Sequence, residues 1–192
     1  VPPGFEIRRH EFERNLMRHP LQVEHLRKFM TELGRETSGP GRIYLPGGAT
    51  ALLYGWRPMT VDVDLKADPE PSRFFESIAR LKDSLQINVK LASPSDFIPE
   101  LPDWRSRSIF IERNGQLDFY HLDPYSQALS KISRGHPRDL ADINAMVAAG
   151  LIAKDRVLGH FNAIKPLLIR YPAIDPASFL RAVESFAASP TP

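Results

Sequence analysis

Ile43-Tyr44-Leu45-Pro46-Gly47-Gly48-Ala49-Thr50-Ala51-Leu52 and, after a short gap, Thr60-Val61-Asp62-Val63-Asp64-Leu65 carry the most structural information in the chain. Ile43 to Leu45 are apolar and β-prone, so they suit a short buried strand. Pro46-Gly47-Gly48 breaks it. The run from Ala49 to Tyr54 is helix-forming, and Gly55 suits its left-handed stop. Thr60 to Leu65 then alternates. Val61, Val63 and Leu65 point one way, and Asp62 and Asp64 point the other. The stretch therefore predicts strand, Gly-Gly turn, helix and a second strand with two carboxylates on one face.

On the N-terminal side, residues 5–20 are charge-rich, and His19-Pro20 ends them. From Leu21 to about Glu36, Val23, Leu26, Phe29, Met30 and Leu33 recur at helical spacing, and Ser38-Gly39-Pro40-Gly41 is a turn. On the C-terminal side, Pro69 and Pro71 lead into a helix with Phe74, Phe75, Ile78 and Leu81 on one face. Residues 86–91 alternate again, with Ile87, Val89 and Leu91 inward and Gln86, Asn88 and Lys90 outward. Residues 93–105 read as an irregular, proline-rich loop. Asn114-Gly115 predicts a hairpin between Ile109-Phe110-Ile111 and Leu117-Asp118-Phe119-Tyr120. Asp123-Pro124 is an N-cap followed by Pro at the first helical position. That helix carries Ala128, Leu129 and Ile132 and ends at Gly135-His136-Pro137. The next has Leu140, Ile143 and Val147 on its buried face. Two further helical segments close the chain, one containing Pro166 and one starting at Asp175-Pro176.

The order predicts an α/β (α+β) fold: a small mixed sheet with flanking helices and a helical C-terminal third. Three parts are expected: an N-terminal helical segment (1–40), a core (41–123) and a helical part packed on it (124–192). With 192 residues, 42% hydrophobic and 25% charged, the chain can bury a core unaided. The absence of cysteine excludes disulfides, thiolate chemistry and sulfur-ligated zinc. A formal charge of only +2 disfavours a plain nucleic-acid-binding module. No stretch suits a membrane span or a signal peptide, so a cytoplasmic protein without membrane association is expected.

Two carboxylates on one strand face repel unless cations or protons neutralise them. Mg²⁺ is a hard, oxygen-seeking cation that completes its shell with water and phosphate oxygens. The Asp62–Asp64 pair therefore suits phosphoryl or nucleotidyl transfer. Gly47 and Gly48 would let backbone N–H groups approach a phosphate at a helix N-terminus, and Thr50 could add a hydroxyl. The spacing Asp62-x-Asp64-x-x-x-Asp68 fails as a calcium loop, because Ala67 and Arg73 stand where Gly and Glu are needed. Other residues carry two readings each. Lys131 is a phosphate ligand or a solvated helical lysine. Asp139 and Asp142 are functional or simply favour a helix N-terminus. His121 and His136 could reach the site or lie at the surface. Arg105, Arg107 and Arg113 face RNA or solvent. Trp56 and Trp104 suit packing better than base stacking.

The run Tyr44 to Leu52 followed by Thr60 to Leu65 resembles the first motif of the nucleotidyltransferase superfamily, a Gly-Gly or Gly-Ser pair ahead of Asp-x-Asp. Ala128-Leu129-Ser130-Lys131 with Arg138-Asp139-Leu140-Ala141-Asp142-Ile143 resembles a second region of the bacterial nucleotidyltransferases of unknown function related to abortive-infection toxins. The likeness covers about residues 40–150. It implies Mg²⁺ at Asp62 and Asp64, and a triphosphate cradled by Gly47, Gly48 and Thr50. It implies a phosphate contact from Lys131, with Asp139 orienting it or acting as a base. It further implies an NTP substrate, a tRNA or protein acceptor, and a cognate antitoxin partner.

One departure concerns the strand after the next helix, where such proteins often present a third carboxylate. Here it offers Gln86, Asn88 and Lys90. A charge pair about 4 Å apart is worth roughly 4 kcal/mol at an effective dielectric of about 20, so Lys90 could neutralise an aspartate and weaken metal binding. Alternatively Lys90 binds phosphate, and Asp118 supplies the missing carboxylate. The competing reading is a catalytically inactive member that binds nucleotide or a partner protein.

Overall fold

The computed structural model describes residues 20–190, so the helical character expected of residues 1–19 lies outside it. Helix α1 (Val23–Glu36) buries Leu26, Phe29, Met30 and Leu33. Strand β1 (Gly41–Leu45) runs into the Gly-Gly turn and α2 (Gly48–Tyr54), which Gly55 ends at φ 85°. Then come β2 (Asp62–Ala67), α3 (Phe74–Ser84) and β3 (Asn88–Leu91). The proline-rich loop holds a 3-10 turn (Pro94–Asp96) and the one-turn helix α4 (Trp104–Arg107). Strands β4 (Ile109–Asn114) and β5 (Leu117–His121) form the hairpin. Four helices follow: α5 (Pro124–Arg134), α6 (Pro137–Ala148), α7 (Lys154–Ile164) and α8 (Pro176–Ala188). A 3-10 stretch (Lys165–Arg170) containing Pro166 separates the last two. No helix among the described residues is long and apolar enough to cross a membrane.

The five strands form one mixed sheet in the order β3-β2-β1-β5-β4. β1 pairs antiparallel to β2 and parallel to β5, β2 pairs parallel to β3, and β4 pairs antiparallel to β5. Strand alternation divides the side chains. Ile43, Leu45, Val63, Leu65, Val89, Leu117 and Phe119 join α1, α2 and α3 in one apolar core. The opposite face carries Tyr44, Tyr120, Asp62, Asp64, Asn88 and Lys90. A second core lies among α5 to α8, with Leu129, Ile143, Phe161 and Phe179 buried and Ile98 and Leu101 added from the loop. Asp123 and Asp175 cap α5 and α8 by accepting from Tyr125 N and Ser178 N.

Several side chains depart from the expected pattern. Val61 is 62% exposed because β2 starts only at Asp62. Leu91 is exposed at the end of the edge strand β3, and Phe75 is exposed because Phe74, Ile78 and Leu81 make the inward face of α3. Leu140 is exposed, and α6 turns Asp139, Asp142, Ile143 and Met146 inward instead. The hairpin turn sits one residue later than expected, at Gly115-Gln116, because Asn114 still pairs with Leu117.

Candidate functional site

Parallel pairing of β2 with β3 sets Asp62 opposite Asn88 and Asp64 opposite Lys90. The Lys90 ammonium reaches diagonally and donates to Asp62 Oδ2 at 2.5 Å. Asn88 Nδ2 donates to Asp62 Oδ1, so both oxygens of Asp62 are engaged. Asp64 accepts no hydrogen bond from the described residues. Burial and then the Asp62 charge raise its pKa, against the opposing pull of Lys90, Arg134 and Lys131. Its carboxylate is the open one of the pair.

The Gly-Gly turn lies against Asp64. Gly47 has φ 62° and ψ −124°, a conformation that only glycine adopts readily. A Cβ built there would stand 3.5 Å from Asp64 Oδ2. A methyl on Gly48 would collide with Thr60 Oγ1. The turn's polar groups are occupied from behind. Gly47 N donates to Gln127 Oε1 at 2.7 Å, and Gln127 Nε2 donates to the Leu122 carbonyl at 2.6 Å. Thr50, predicted to offer its hydroxyl to phosphate, is buried and donates to the Leu45 carbonyl at 2.7 Å. His121 Nδ1 lies 3.2 Å from that same hydroxyl, and burial pushes the His121 pKa down to about 4. Thr50 and His121 therefore brace the turn from inside. His136, by contrast, is exposed at the start of α6.

Helices α5 and α6 form the facing wall. Lys131 is buried, not solvated, and donates to Asp139 Oδ1 at 3.1 Å and Asp142 Oδ2 at 2.6 Å. Arg134 donates to Asp139 at 3.0 Å, while Arg57 and Trp56 reach Asp142 at 2.6 and 3.3 Å. For Asp139, burial favours a raised pKa, but Arg134 and Lys131 outweigh it and hold the carboxyl below its ordinary value. Asp139 is thus fixed as an anion that positions two cations. Arg138 lines the same space and pairs with no carboxylate among the described residues. The resulting cleft, about 540 Å³, is walled by Gly47, Asp62, Asp64, Lys131, Arg134 and Arg138. A smaller recess beyond it shares Gly47, Asp64, Lys131 and Arg134 and is closed by Pro46 and Phe97.

The structure therefore brings Gly47, Gly48, Asp62, Asp64, Lys90, Lys131 and Asp139 together and leaves Asp118 out. Asp118 accepts from Arg113 at 2.6 Å, and it pairs across the sheet with Arg42. Its neighbours line a separate hollow of about 470 Å³. The registers of β1 with β2 and β5 set it about four residues along the strands from Asp64, roughly 13 Å in that direction alone. Arg105 and Arg107 also have partners, Asp68 and Asp123. Trp104 packs edge-on against Tyr44 at 4.7 Å. Sequence reasoning missed Gln127, Arg57 and Arg134, and placed Arg138 in a motif without giving it a role. Arg134 stands three positions after Lys131, on the same helical face, and that spacing was readable.

Among the described residues, no three His, Cys, Asp or Glu side chains group to hold a metal. Mg²⁺ commonly takes only one or two protein carboxylates and draws its other ligands from water and substrate phosphates. Asp64, unpartnered beside Asp62 and facing a cationic wall, fits an ion that arrives with a phosphate chain.

A mixed sheet with a Gly-Gly turn, an Asp-x-Asp strand beside it and helices closing the cleft defines a nucleotidyltransferase-like fold. The chain belongs to the family described as "Nucleotidyltransferase of unknown function (DUF6036)", whose profile matches residues 22–162. No curated protein and no solved structure matched the chain. Membership implies an NTP substrate.

Proposed function

We propose that this protein is a Mg²⁺-dependent nucleotidyltransferase that moves a nucleotide from an NTP to a hydroxyl of RNA or protein. The observation that carries this reading is the open Asp64 carboxylate, set against Gly47 and facing Lys131 and Arg134 across the cleft. Lys131, Arg134 and Arg138 hold the triphosphate, and Asp139 keeps the first two aimed into the cleft. Since Gly47 N–H is bonded to Gln127, these side chains rather than the turn's first amide supply phosphate recognition. Asp62 and Asp64 hold the metal, which neutralises charge on the phosphates when bound. The acceptor oxygen bonds to the α-phosphorus, and the bond to the bridging oxygen breaks. Pyrophosphate leaves, and the hydroxyl proton is released to solvent.

The test is label transfer from each of the four NTPs into total RNA and protein, with and without Mg²⁺. Wild-type protein should label one acceptor class, and Asp62→Ala with Asp64→Ala should lose the signal by about 10²-fold or more. Both side chains lie on the polar face of β2, so their removal opens no cavity in the apolar core. Label transfer that survives the double substitution would move the site elsewhere. If the acceptor is tRNA and the protein acts as a toxin with a cognate antitoxin, expression should halt growth and Asp64→Ala should restore it. The Lys90–Asp62 ion pair favours one alternative, an inactive member that binds nucleotide or a partner protein. Nucleotide binding without any transfer would establish that alternative.

A further inference from the structure

We infer that the Lys90 ammonium takes the place of a second divalent cation, so that the site holds one Mg²⁺ per chain rather than two. This rests on the nucleotidyl-transfer reading above. Metal-assisted displacement at phosphorus is often performed by two ions about 3.5–4 Å apart, which carboxylates hold between them. Among the described residues the cleft lacks the groups for a second ion. The face of β3 that looks onto the aspartates presents Asn88 and Lys90, an amide and a cation, where further oxygen anions would be needed.

The bonding divides the two aspartates. By register Lys90 is level with Asp64, yet its ammonium crosses to Asp62 Oδ2 at 2.5 Å. Asn88 takes the other Asp62 oxygen. Each Asp62 oxygen therefore already accepts one protein donor and keeps a lone pair for the single ion it shares with Asp64, which is open. A second dication beside Asp62 would have to displace an ammonium and an amide and then sit against the displaced positive charge. The other cations of the cleft do not compete for this position. Lys131 and Arg134 are bound to Asp139 and Asp142 on the opposite wall. Lys90 is the cation paired directly with the Asp62–Asp64 pair among the described residues. Its charge is fixed to the strand that is hydrogen-bonded to β2, so it is already in place before nucleotide enters.

Mn²⁺ provides the test, because its spin resonance counts bound ions and a close pair of ions gives a distinct coupled spectrum. The full chain is titrated with Mn²⁺ in the presence of a non-hydrolysable α,β-methylene NTP. Wild-type protein should bind about one Mn²⁺ per chain with no coupled pair. Lys90→Glu should bind about two, with the coupled spectrum, and Lys90→Gln should tighten the second site by about tenfold or more. Lys90→Gln removes the charge and keeps a polar side chain one bond shorter, so it serves if Lys90→Glu does not fold. A coupled pair in the wild-type protein overturns the inference and leaves the nucleotidyl-transfer reading standing. A single ion in all three proteins also overturns it, because Lys90 then excludes nothing. Absence of any nucleotide-dependent Mn²⁺ binding overturns both.

Discussion

Asp64 and His121 show how individual residues at this site work against stability. Burial and the neighbouring Asp62 raise the Asp64 pKa, so the folded state disfavours its ionised form. The stability linked to such a group is present below the unfolded pKa and lost as pH rises through the folded one. Asp64→Asn removes the disfavoured charge, so it should raise the urea midpoint at pH 7 while abolishing transfer. His121 has the opposite sign of proton linkage. Its pKa falls from 6.5 to about 4 in the fold, so the folded state binds fewer protons than the unfolded chain. Stability should hold above about pH 6.5 and decline as pH falls toward about 4, by on the order of 3 kcal/mol in total. Urea titrations across that range should show the slope in wild type and a much flatter profile in His121→Gln.

At the scale of the element, the polar clamp behind the Gly-Gly turn couples α5 to the strand–turn–helix unit. Gln127→Leu would leave the Gly47 N–H without its acceptor, at a cost of about 1–3 kcal/mol. We expect a raised KM for NTP with a smaller change in kcat, since the turn shifts while Asp64 and Lys131 remain. Helix α1 packs backbone to backbone on the hairpin, and a methyl on Gly34 would meet the Asn114 carbonyl. Gly34→Ala should therefore destabilise the protein by about 3 kcal/mol, measured by thermal unfolding, although it is remote from the cleft.

The same elements show what the sequence made readable. The alternation at Asp62-Val63-Asp64-Leu65 and at Asn88-Val89-Lys90 sorted the faces, and the parallel pairing of the two strands then put Lys90 beside the aspartates. Periodicity gave less at element ends. Val61 and Leu91 continue the alternation yet lie where no second layer covers them. On α6 the apolar Leu140 faces water while Asp139 and Asp142 face inward. Lys131 and Arg134 from the preceding helix, with Arg57 and Trp56 from a distant loop, make that orientation favourable. Asp118 looked equivalent to a third carboxylate until strand order and register set it apart from Asp64.

Among the described residues the two large apolar cores lie one on each side of a polar seam, beside a small cluster of Tyr44, Trp104 and Leu122. Asp62 and Asp64 come from the sheet side of the seam, and Lys131, Arg134 and Arg138 come from the helical side. A ligand that binds both walls stabilises both cores together. At about 100 times its Kd, a nucleotide would add about 2.7 kcal/mol to the folded state. Thermal unfolding with Mg²⁺ and the cognate NTP should shift upward by several degrees. Hydrogen exchange should slow together in β2, the Gly-Gly turn and α5. Protection confined to one wall would contradict a ligand bridging the seam.

The ion pair between Lys90 and Asp62 also bears on how the protein fares when free magnesium is scarce. A positive charge carried on a side chain has no off-rate into solution, and no chelator can strip it away. Asp62 therefore stays neutralised in the resting protein, and the cleft never confronts two bare aspartates at once. EDTA should halt transfer yet leave the unfolding temperature of the nucleotide-free protein where it was.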